Sequence, residues 1–118
     1  MLRTLPTLVT SQKVGEVTIA VIHSATLDRS NSTQFNPFLP ELTGPDAQIV
    51  LDLSRVEWMD SDGCCILIVL LKRLKETNGE LKLCGLTRPV RKLLELISLH
   101  KLVEIFNSVD EAVRAFQI

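Results

Sequence analysis

The chain alternates short apolar runs with amphipathic stretches, and this alternation predicts strands separated by helices. Runs rich in β-branched and aliphatic residues predict strands at 8–10, 17–22, 48–53, 80–84 and the end of 99–106. Apolar residues at helical spacing predict helices that begin near Asn36, at 64, near Pro89 and after Ser108. Pro37 would lie in the first turn of the first helix, where a missing N–H costs nothing. This order predicts an α/β fold in which helices pack over a mainly parallel sheet.

Turn and capping residues mark the expected boundaries of these elements. Gly15 turns the first two strands into a hairpin. Gly79 is expected to end the second helix in a left-handed cap after Asn78. Two caps are expected at helix starts, namely Thr87 for the third helix and a capping box of Ser108 and Glu111 for the fourth.

The apolar pattern also predicts which parts of the chain are buried. Segment 48–53 is apolar except for Asp52, which is typical of a central strand covered on both faces. Segment 80–84 alternates and predicts a half-exposed strand. The second helix is apolar on every side for two turns, so it is either mostly core, which we expect, or presents one apolar face to a partner. Trp58 is expected to pack in the core, with an interface anchor as the alternative.

Length and composition limit the class of protein. With 118 residues, 46% of them hydrophobic and 23% charged, the chain is expected to form a single globular domain over residues 1–118. Because 13 Lys and Arg are set against 14 Asp and Glu, the charge does not indicate a nucleic-acid surface. No stretch approaches the roughly 20 apolar residues of a membrane span. We therefore expect a cytoplasmic protein, without membrane insertion, that binds other proteins.

Cysteine and histidine spacing gives little indication of chemistry. Cys64, Cys65 and Cys84 are expected to be reduced, buried thiols, because adjacent cysteines bridge only with strain. A lowered pKa at the helix start would make Cys64 or Cys65 a nucleophile, but no histidine lies near them in sequence. His23 and His100 have no metal-ligand spacing and are expected at an edge or in a loop. Neither a metal nor a cofactor is predicted.

An acidic turn precedes the second helix and is the candidate site. Asp60, Ser61 and Asp62 lie where free N–H groups and the helix dipole favour negative charge. Locally, capping by Asp60 or Ser61 with Asp62 as a first-turn acid explains the pattern. A Mg²⁺ cluster of Asp28, Asp52 and Asp60 is the alternative to solvated loop acids. Catalysis is not expected, because the chain has no glycine-rich phosphate loop.

The order of several short motifs resembles the STAS family, in its anti-sigma-factor antagonist type. An apolar strand ends in D-L-S at 52–54, D-S-D-G follows at 60–63, and L-T-R-P-V-R-K-L-L-E-L stands at 86–96. The resemblance runs from roughly Val17 to Phe116. It implies a STAS-like four- or five-stranded mixed sheet with helices packed mainly on one face. The family's G-x-L-D is matched at 25–28, except that Ala25 replaces glycine.

The resemblance implies a role in partner switching. Such an antagonist binds an anti-sigma factor that is also a serine kinase, and phosphorylation breaks the complex; a phosphatase is a further candidate partner. The phosphoacceptor is the second serine of D-S-S-G, and this position is Asp62. Asp62 could mimic phosphoserine imperfectly, the partner could have adapted so that binding is constitutive, or Ser61 could be the acceptor. The alternative function is an accessory STAS subunit of a membrane lipid transport complex.

In open α/β sheets, functional residues gather at the carboxyl ends of the strands. This rule and the family resemblance both predict a partner-binding surface there. Its predicted members are Asp28, Trp58, Asp60, Ser61, Asp62, Gly63 and Cys64, together with the loop 54–58. Exposed apolar residues among Cys64, Ile68 and Leu71 would extend it. A basic edge on the third helix is expected to be solvated, and consists of Arg88, Arg91 and Lys92.

Overall fold

A mixed five-stranded sheet with strand order β1-β2-β4-β6-β7 runs through the computed structural model, which describes residues 8–117. Its strands are β1 (Val9–Val14), β2 (Val17–Ile22), β4 (Gln48–Asp52), β6 (Glu80–Cys84) and β7 (Glu104–Phe106). β1 pairs antiparallel with β2, and all further neighbours are parallel. Two-residue strands β3 (Thr26–Leu27) and β5 (Trp58–Met59) form a separate parallel pair that the sequence did not predict. The predicted α/β fold and its mixed sheet are confirmed.

Helices cover both faces of the sheet, with three on one face and one on the other. They are α1 (Leu39–Leu42), α2 (Ser61–Glu76), α3 (Arg88–Leu96) and α4 (Val109–Gln117), with 3-10 turns at Ser32–Phe38 and Leu99–Lys101. The larger core cluster contains side chains of α1, α2 and α3, and the smaller contains those of α4. Helices therefore pack mainly on one face, as the resemblance implied. Within residues 8–117, no helix is both long enough and apolar enough to cross a membrane.

The central strand β4 joins the two clusters. Ile49 and Leu51 belong to the cluster under α1–α3, and Val50 belongs to the cluster under α4. All three are almost fully buried. A strand covered on both faces has no need of polar alternation, which explains the continuous apolar run in its sequence.

β6 is buried on both faces, so the predicted half-exposed strand is wrong. Lys82, which the alternation placed in solvent, is only 4% exposed. Its ammonium pairs with Glu80 at 2.8 Å and with Glu104, and lies 4.5 Å from the ring centroid of Phe116. The lysine stays charged under α4 because two carboxylates and an aromatic face replace its lost hydration.

The first helix begins later than predicted. A 3-10 turn that includes Pro37 occupies Ser32–Phe38, and α-helical geometry begins at Leu39. Pro40 lies in the first turn of α1. Because a first-turn residue needs no N–H donor, Pro40 rather than Pro37 sets the start of the α-helix.

Asn78, not Gly79, is the left-handed residue after α2. Its φ is +61°, and the N–H of Gly79 donates to the carbonyl of Leu74 at 2.6 Å, which completes a Schellman motif. Glycine is required at 79 for space, because a Cβ there would lie 2.8 Å from the carbonyl oxygen of Ala47. The predicted end of the helix is correct, but the roles of the two residues are exchanged.

The caps of α3 and α4 differ from each other. Ser108 Oγ accepts a hydrogen bond from the Glu111 N–H at 3.2 Å, which confirms the serine half of the predicted capping box. Thr87 precedes α3, but its hydroxyl makes no capping bond and donates to the Val56 carbonyl at 2.8 Å. This long-range bond ties the start of α3 to the loop before β5.

Candidate partner-binding surface

Asp60 is the N-cap of α2. Its backbone is extended, and its Oδ1 accepts hydrogen bonds from the N–H groups of Asp62 at 2.9 Å and Gly63 at 3.1 Å. The Asp60 N–H donates to the Leu27 carbonyl at 3.3 Å, which ties the helix start to β3. Of the two predicted caps, Asp60 fills the role and Ser61 does not.

Gly63 brings the first turn of α2 against β3. A Cβ at this position would lie 2.1 Å from the carbonyl oxygen of Leu27 and 2.9 Å from the Cβ of Met59. No side chain fits in such a gap, so glycine is needed for close approach of the two backbones. This contact fixes the first turn of α2 against β3, and it thereby fixes the position of Asp62, the preceding residue.

The loop after β3 is held in one shape by its own polar side chains. Asp28 accepts from the Ser30 N–H at 2.9 Å, and its own N–H donates to Asn31 Oδ1 at 3.0 Å. The Asn31 amide donates to the Thr26 carbonyl at 2.8 Å. The hydrogen bond from the Ser30 hydroxyl, more than any other interaction, lowers the pKa of Asp28. Asp28 is therefore a fixed negative charge at neutral pH.

Trp58 is 51% exposed, so the prediction that it packs in the core is wrong. In β5 the side chains alternate, and Met59 rather than Trp58 points into the core. The carbonyl of Ala25 accepts from the N–H groups of Glu57 at 2.7 Å and Trp58 at 3.1 Å. Because Thr26 pairs with Trp58 across the β3–β5 ladder, the indole belongs to the same surface as the Asp28 loop.

One face of α2 is exposed and largely apolar. Ile68 is 46% and Val69 is 40% exposed, and Ser61 and Cys65 are also exposed, whereas the opposite face is buried. Core packing was predicted for most of the apolar half, and this exposed stripe corrects it. The stripe has the spacing i, i+4, i+7 and i+8 from Ser61, and Lys72 continues it, so these two polar residues were the signal from which the exposure of Cys65 and Val69 could have been found.

Cys64 does not take part in this surface, although it was predicted to. It is buried, and its neighbour Cys65 is the exposed thiol. Burial raises the pKa of Cys64, and raises that of Cys84 to about 12. Helix-start activation of Cys64 is therefore contradicted, since its thiol is less acidic than usual.

A small cavity of about 160 Å³ separates the first turns of α2 from the 3-10 turn before α1. Asp62 is half-buried at this cavity. The lining residues are Ser32, Thr33, Phe35, Asn36, Leu39, Asp62, Cys65, Ile66 and Val69. Asp62 thus shares a cavity of mixed polar and apolar lining with Cys65 and Val69 of the exposed α2 stripe.

The three carboxylates considered for Mg²⁺ have separate partners. Asp28 is bonded to Ser30, Asp52 Oδ1 accepts from the Ser54 N–H at 2.9 Å, and Asp60 caps α2. Among residues 8–117, no group of three or more His, Cys, Asp or Glu side chains is placed to hold a metal ion.

The profile of the STAS domain matches residues 9–112, and the chain belongs to this family. A Bordetella bronchiseptica protein provisionally named as an anti-sigma factor antagonist, BtrV, is 28% identical over 109 residues, which cover 92% of this chain and 93% of that protein. The domain is thus similar to anti-sigma factor antagonists.

Solved structures share the fold. An anti-sigma-factor antagonist (STAS) domain protein from Planctomyces limnophilus superposes with a TM-score of 0.86 at 21% identity, covering 93% of this chain and 98% of that one. The murine anion transporter Slc26a9 in its inward-facing state gives 0.77 at 23% identity, covering 90% of this chain but 18% of the transporter. The same fold therefore occurs in small regulators and inside a membrane transporter.

Proposed function

We propose that this chain is a single-domain regulatory protein of the anti-sigma-factor antagonist type, which binds an anti-sigma factor or related serine kinase in the cytoplasm. The observation that carries the proposal is the position of Asp62. Asp62 lies in the first turn of α2, immediately before a glycine that is packed against β3. By the family resemblance, this position is that of the phosphoacceptor serine. The similarity to BtrV along almost the whole chain supports the same class of partner.

Asp62 changes the chemistry of the switch that the family resemblance implies. An aspartate has no hydroxyl to accept a phosphoryl group from a serine kinase. It carries about one negative charge, compared with about 1.5 to 2 for phosphoserine, at the positive end of the helix dipole. Where no other residue accepts phosphate, Asp62 therefore fixes the state of the complex, either as permanently released or as permanently bound to an adapted partner.

The composition of the surface indicates what the partner must offer. Apolar groups of Trp58, Cys65, Ile68 and Val69 are exposed beside the carboxylates of Asp28 and Asp62. An aromatic anchor and aliphatic side chains supply binding energy, and a charged rim sets specificity and the association rate. The fitting partner has an apolar pocket with basic side chains at its rim.

Ser61 remains an alternative phosphoacceptor in this proposal. Its side chain is exposed at the first position of α2, and Asp60, not Ser61, performs the capping. Among residues 8–117, no partner is found for the Ser61 hydroxyl, so a kinase would not have to break a cap to reach it. Phosphate there would add charge beside Asp62.

The test compares the wild type with Asp62→Ser and Asp62→Ala. Each tagged chain is used to capture partners from native lysate, and the captured kinase is then purified for calorimetry and for phosphate transfer from ATP. If Asp62 imitates phosphoserine, Asp62→Ser and Asp62→Ala bind the kinase at least about tenfold more tightly than the wild type. If binding is constitutive, the wild type binds as tightly as Asp62→Ser and stays bound when ATP is present.

The matched control is Glu76→Ser, which removes an exposed acid at the other end of α2. It should bind like the wild type. Phosphate on Asp62→Ser but not on the wild type identifies residue 62 as the acceptor position, and phosphate on the wild type that Ser61→Ala abolishes identifies Ser61. The proposal fails if none of the five chains captures a kinase.

A second candidate function is an accessory subunit of a membrane lipid transport complex. The observation behind it is that this fold also occurs inside an anion transporter, so the fold is compatible with a transport assembly. Recovery of transporter subunits in the same capture, in place of a kinase, would decide for this function.

A further inference from the structure

A second exposed apolar surface lies where α3 ends. Leu96, Ile97 and Leu102 are 81%, 43% and 59% exposed. The chain between them is an ordered turn, since the N–H of Leu102 donates to the carbonyl of Leu99 at 2.9 Å. Segment 96–102, which we call the α3–β7 turn, therefore presents its aliphatic side chains from a defined backbone.

Basic side chains flank the α3–β7 turn. Those that are exposed or half-exposed are Arg91, Lys92, His100 and Lys101. Segment 91–104 contains three Lys and Arg and two acids, Glu95 and Glu104, and Glu104 is paired with the buried Lys82, whereas the whole chain has a net charge of −1. Lys92 precedes Leu96 by one helical turn, and His100 and Lys101 immediately precede Leu102. Because Glu104 is neutralised by Lys82, the charges left free around the turn are mostly basic, on a chain that has a slight net negative charge.

We propose that the α3–β7 turn docks on an anionic lipid bilayer surface. A leucine as exposed as Leu96 protrudes and does not line a groove for a peptide. Protruding aliphatic groups reach the boundary between headgroups and acyl chains, and Lys and Arg stay among anionic headgroups. A folded acidic protein would have to supply a pocket for each protruding side chain, whereas acyl chains deform around them.

The topology keeps this surface apart from the partner-binding surface. α3 connects the parallel strands β6 and β7, so it runs opposite to them and ends at their amino ends. The partner-binding surface at the start of α2 lies at the carboxyl ends. A chain docked on lipid through the α3–β7 turn still exposes Trp58 and Asp62. Docking on lipid therefore does not depend on the proposed kinase partner.

The test is co-sedimentation of the full chain with vesicles of phosphatidylcholine alone or with about one third phosphatidylglycerol. We expect at least about tenfold stronger partitioning onto the anionic vesicles at low salt, because each basic residue near such a surface adds roughly fivefold in affinity. The double variants Leu96→Ser with Leu102→Ser, and Lys92→Glu with Lys101→Glu, should each lower it at least about tenfold.

Matched controls carry the same changes on exposed residues of α2. They are Ile68→Ser with Val69→Ser, and Lys72→Glu with Lys75→Glu, and both should stay within about twofold of the wild type. Equal partitioning onto the two vesicle types, absence of binding to both, or equal losses in the controls would overturn the proposal. An acidic protein would then be the partner class that matches the basic side chains around the α3–β7 turn.

Tryptophan fluorescence measures how deeply the α3–β7 turn enters the bilayer surface. Leu96→Trp in a Trp58→Phe chain places the only tryptophan on the turn, since the natural chain has one. Its emission should shift to the blue with anionic vesicles and be quenched by brominated lipid acyl chains. Unshifted emission from bound protein would contradict docking through Leu96.

Discussion

Three cysteines in one small domain differ in their surroundings, and their reactivity should differ accordingly. Burial raises the pKa of Cys84 to about 12, with a smaller contribution from Asp52, and burial also raises the pKa of Cys64. At pH 8, Cys84 has about 2,000-fold less thiolate than a cysteine of ordinary pKa, about 8.5. We expect Ellman's reagent to modify one thiol quickly and two only on unfolding.

Two cysteine-to-serine variants identify the thiol that reacts quickly with Ellman's reagent. Cys65→Ser should abolish the fast phase, and Cys64→Ser should leave it unchanged, because Cys65 is exposed and Cys64 is buried. Two fast equivalents in the native wild type would contradict the burial of Cys64.

Lys82 gives a second prediction at the residue scale. Burial alone would lower its pKa, but hydrogen bonds to Glu104 and Glu80 outweigh burial, and the pKa is raised. A raised folded pKa stabilises the protein below the unfolded value of about 10.4, and that contribution is lost as pH rises through the folded value. Lys82→Met should therefore lose less unfolding free energy than the wild type as the pH rises above about 10.4, as measured by urea titration.

Truncation of the same side chain separates packing from charge. Lys82→Ala should lower the unfolding free energy at pH 7 by roughly 1–3 kcal/mol, because it removes the buried stem, while Lys82→Met should stay within about 1 kcal/mol of the wild type. Equal losses in the two variants would mean that the ion pairs, and not the stem, dominate.

At the scale of elements, the start of α2 depends on one glycine. Gly63→Ala would bring a Cβ to 2.1 Å from the Leu27 carbonyl oxygen, so the helix must move away from β3. We expect a loss of roughly 2–4 kcal/mol in unfolding free energy, the upper range for overpacking. Gly44→Ala is the control, since no atom lies within 4 Å of its Cβ position, and it should change the free energy by less than about 0.5 kcal/mol. Similar values for the two would refute the close approach.

Long periodic elements were predictable, and the short ones that build the surface were not. The apolar run at β4 follows directly from burial on both faces. The helix α2 was predictable as an element, but its exposed stripe was not predicted, because the two turns that follow its first are apolar on every side. β3 and β5 contain two residues each, which is too short for a period, so the exposure of Trp58 had no sequence signal. Lys82 was misplaced because its solvation is replaced by residues distant in sequence, Glu104 and Phe116.

At the scale of the whole molecule, two surfaces occupy opposite ends of one rigid sheet. Asp28, Trp58 and Asp62 lie at the carboxyl ends of the strands, and the α3–β7 turn lies at the amino ends. A strand of five residues is about 17 Å long, and effects of mutations separated by more than about 10 Å usually add. Changes at one end should therefore leave binding at the other end unaltered.

Trp58 offers the sharpest test of this separation, because it is the only tryptophan and lies at one of the two ends. Binding of the captured kinase should shift its emission to the blue as the indole leaves water. Trp58→Ala should weaken kinase binding by at least about tenfold, as loss of an aromatic anchor does, and change the unfolding free energy by less than about 0.5 kcal/mol. Leu96→Ala, an exposed change at the other end, should leave kinase affinity intact. Equal affinity of Trp58→Ala and its parent chain, which is Asp62→Ser if the wild type does not bind the kinase, would move the partner-binding surface away from the start of α2.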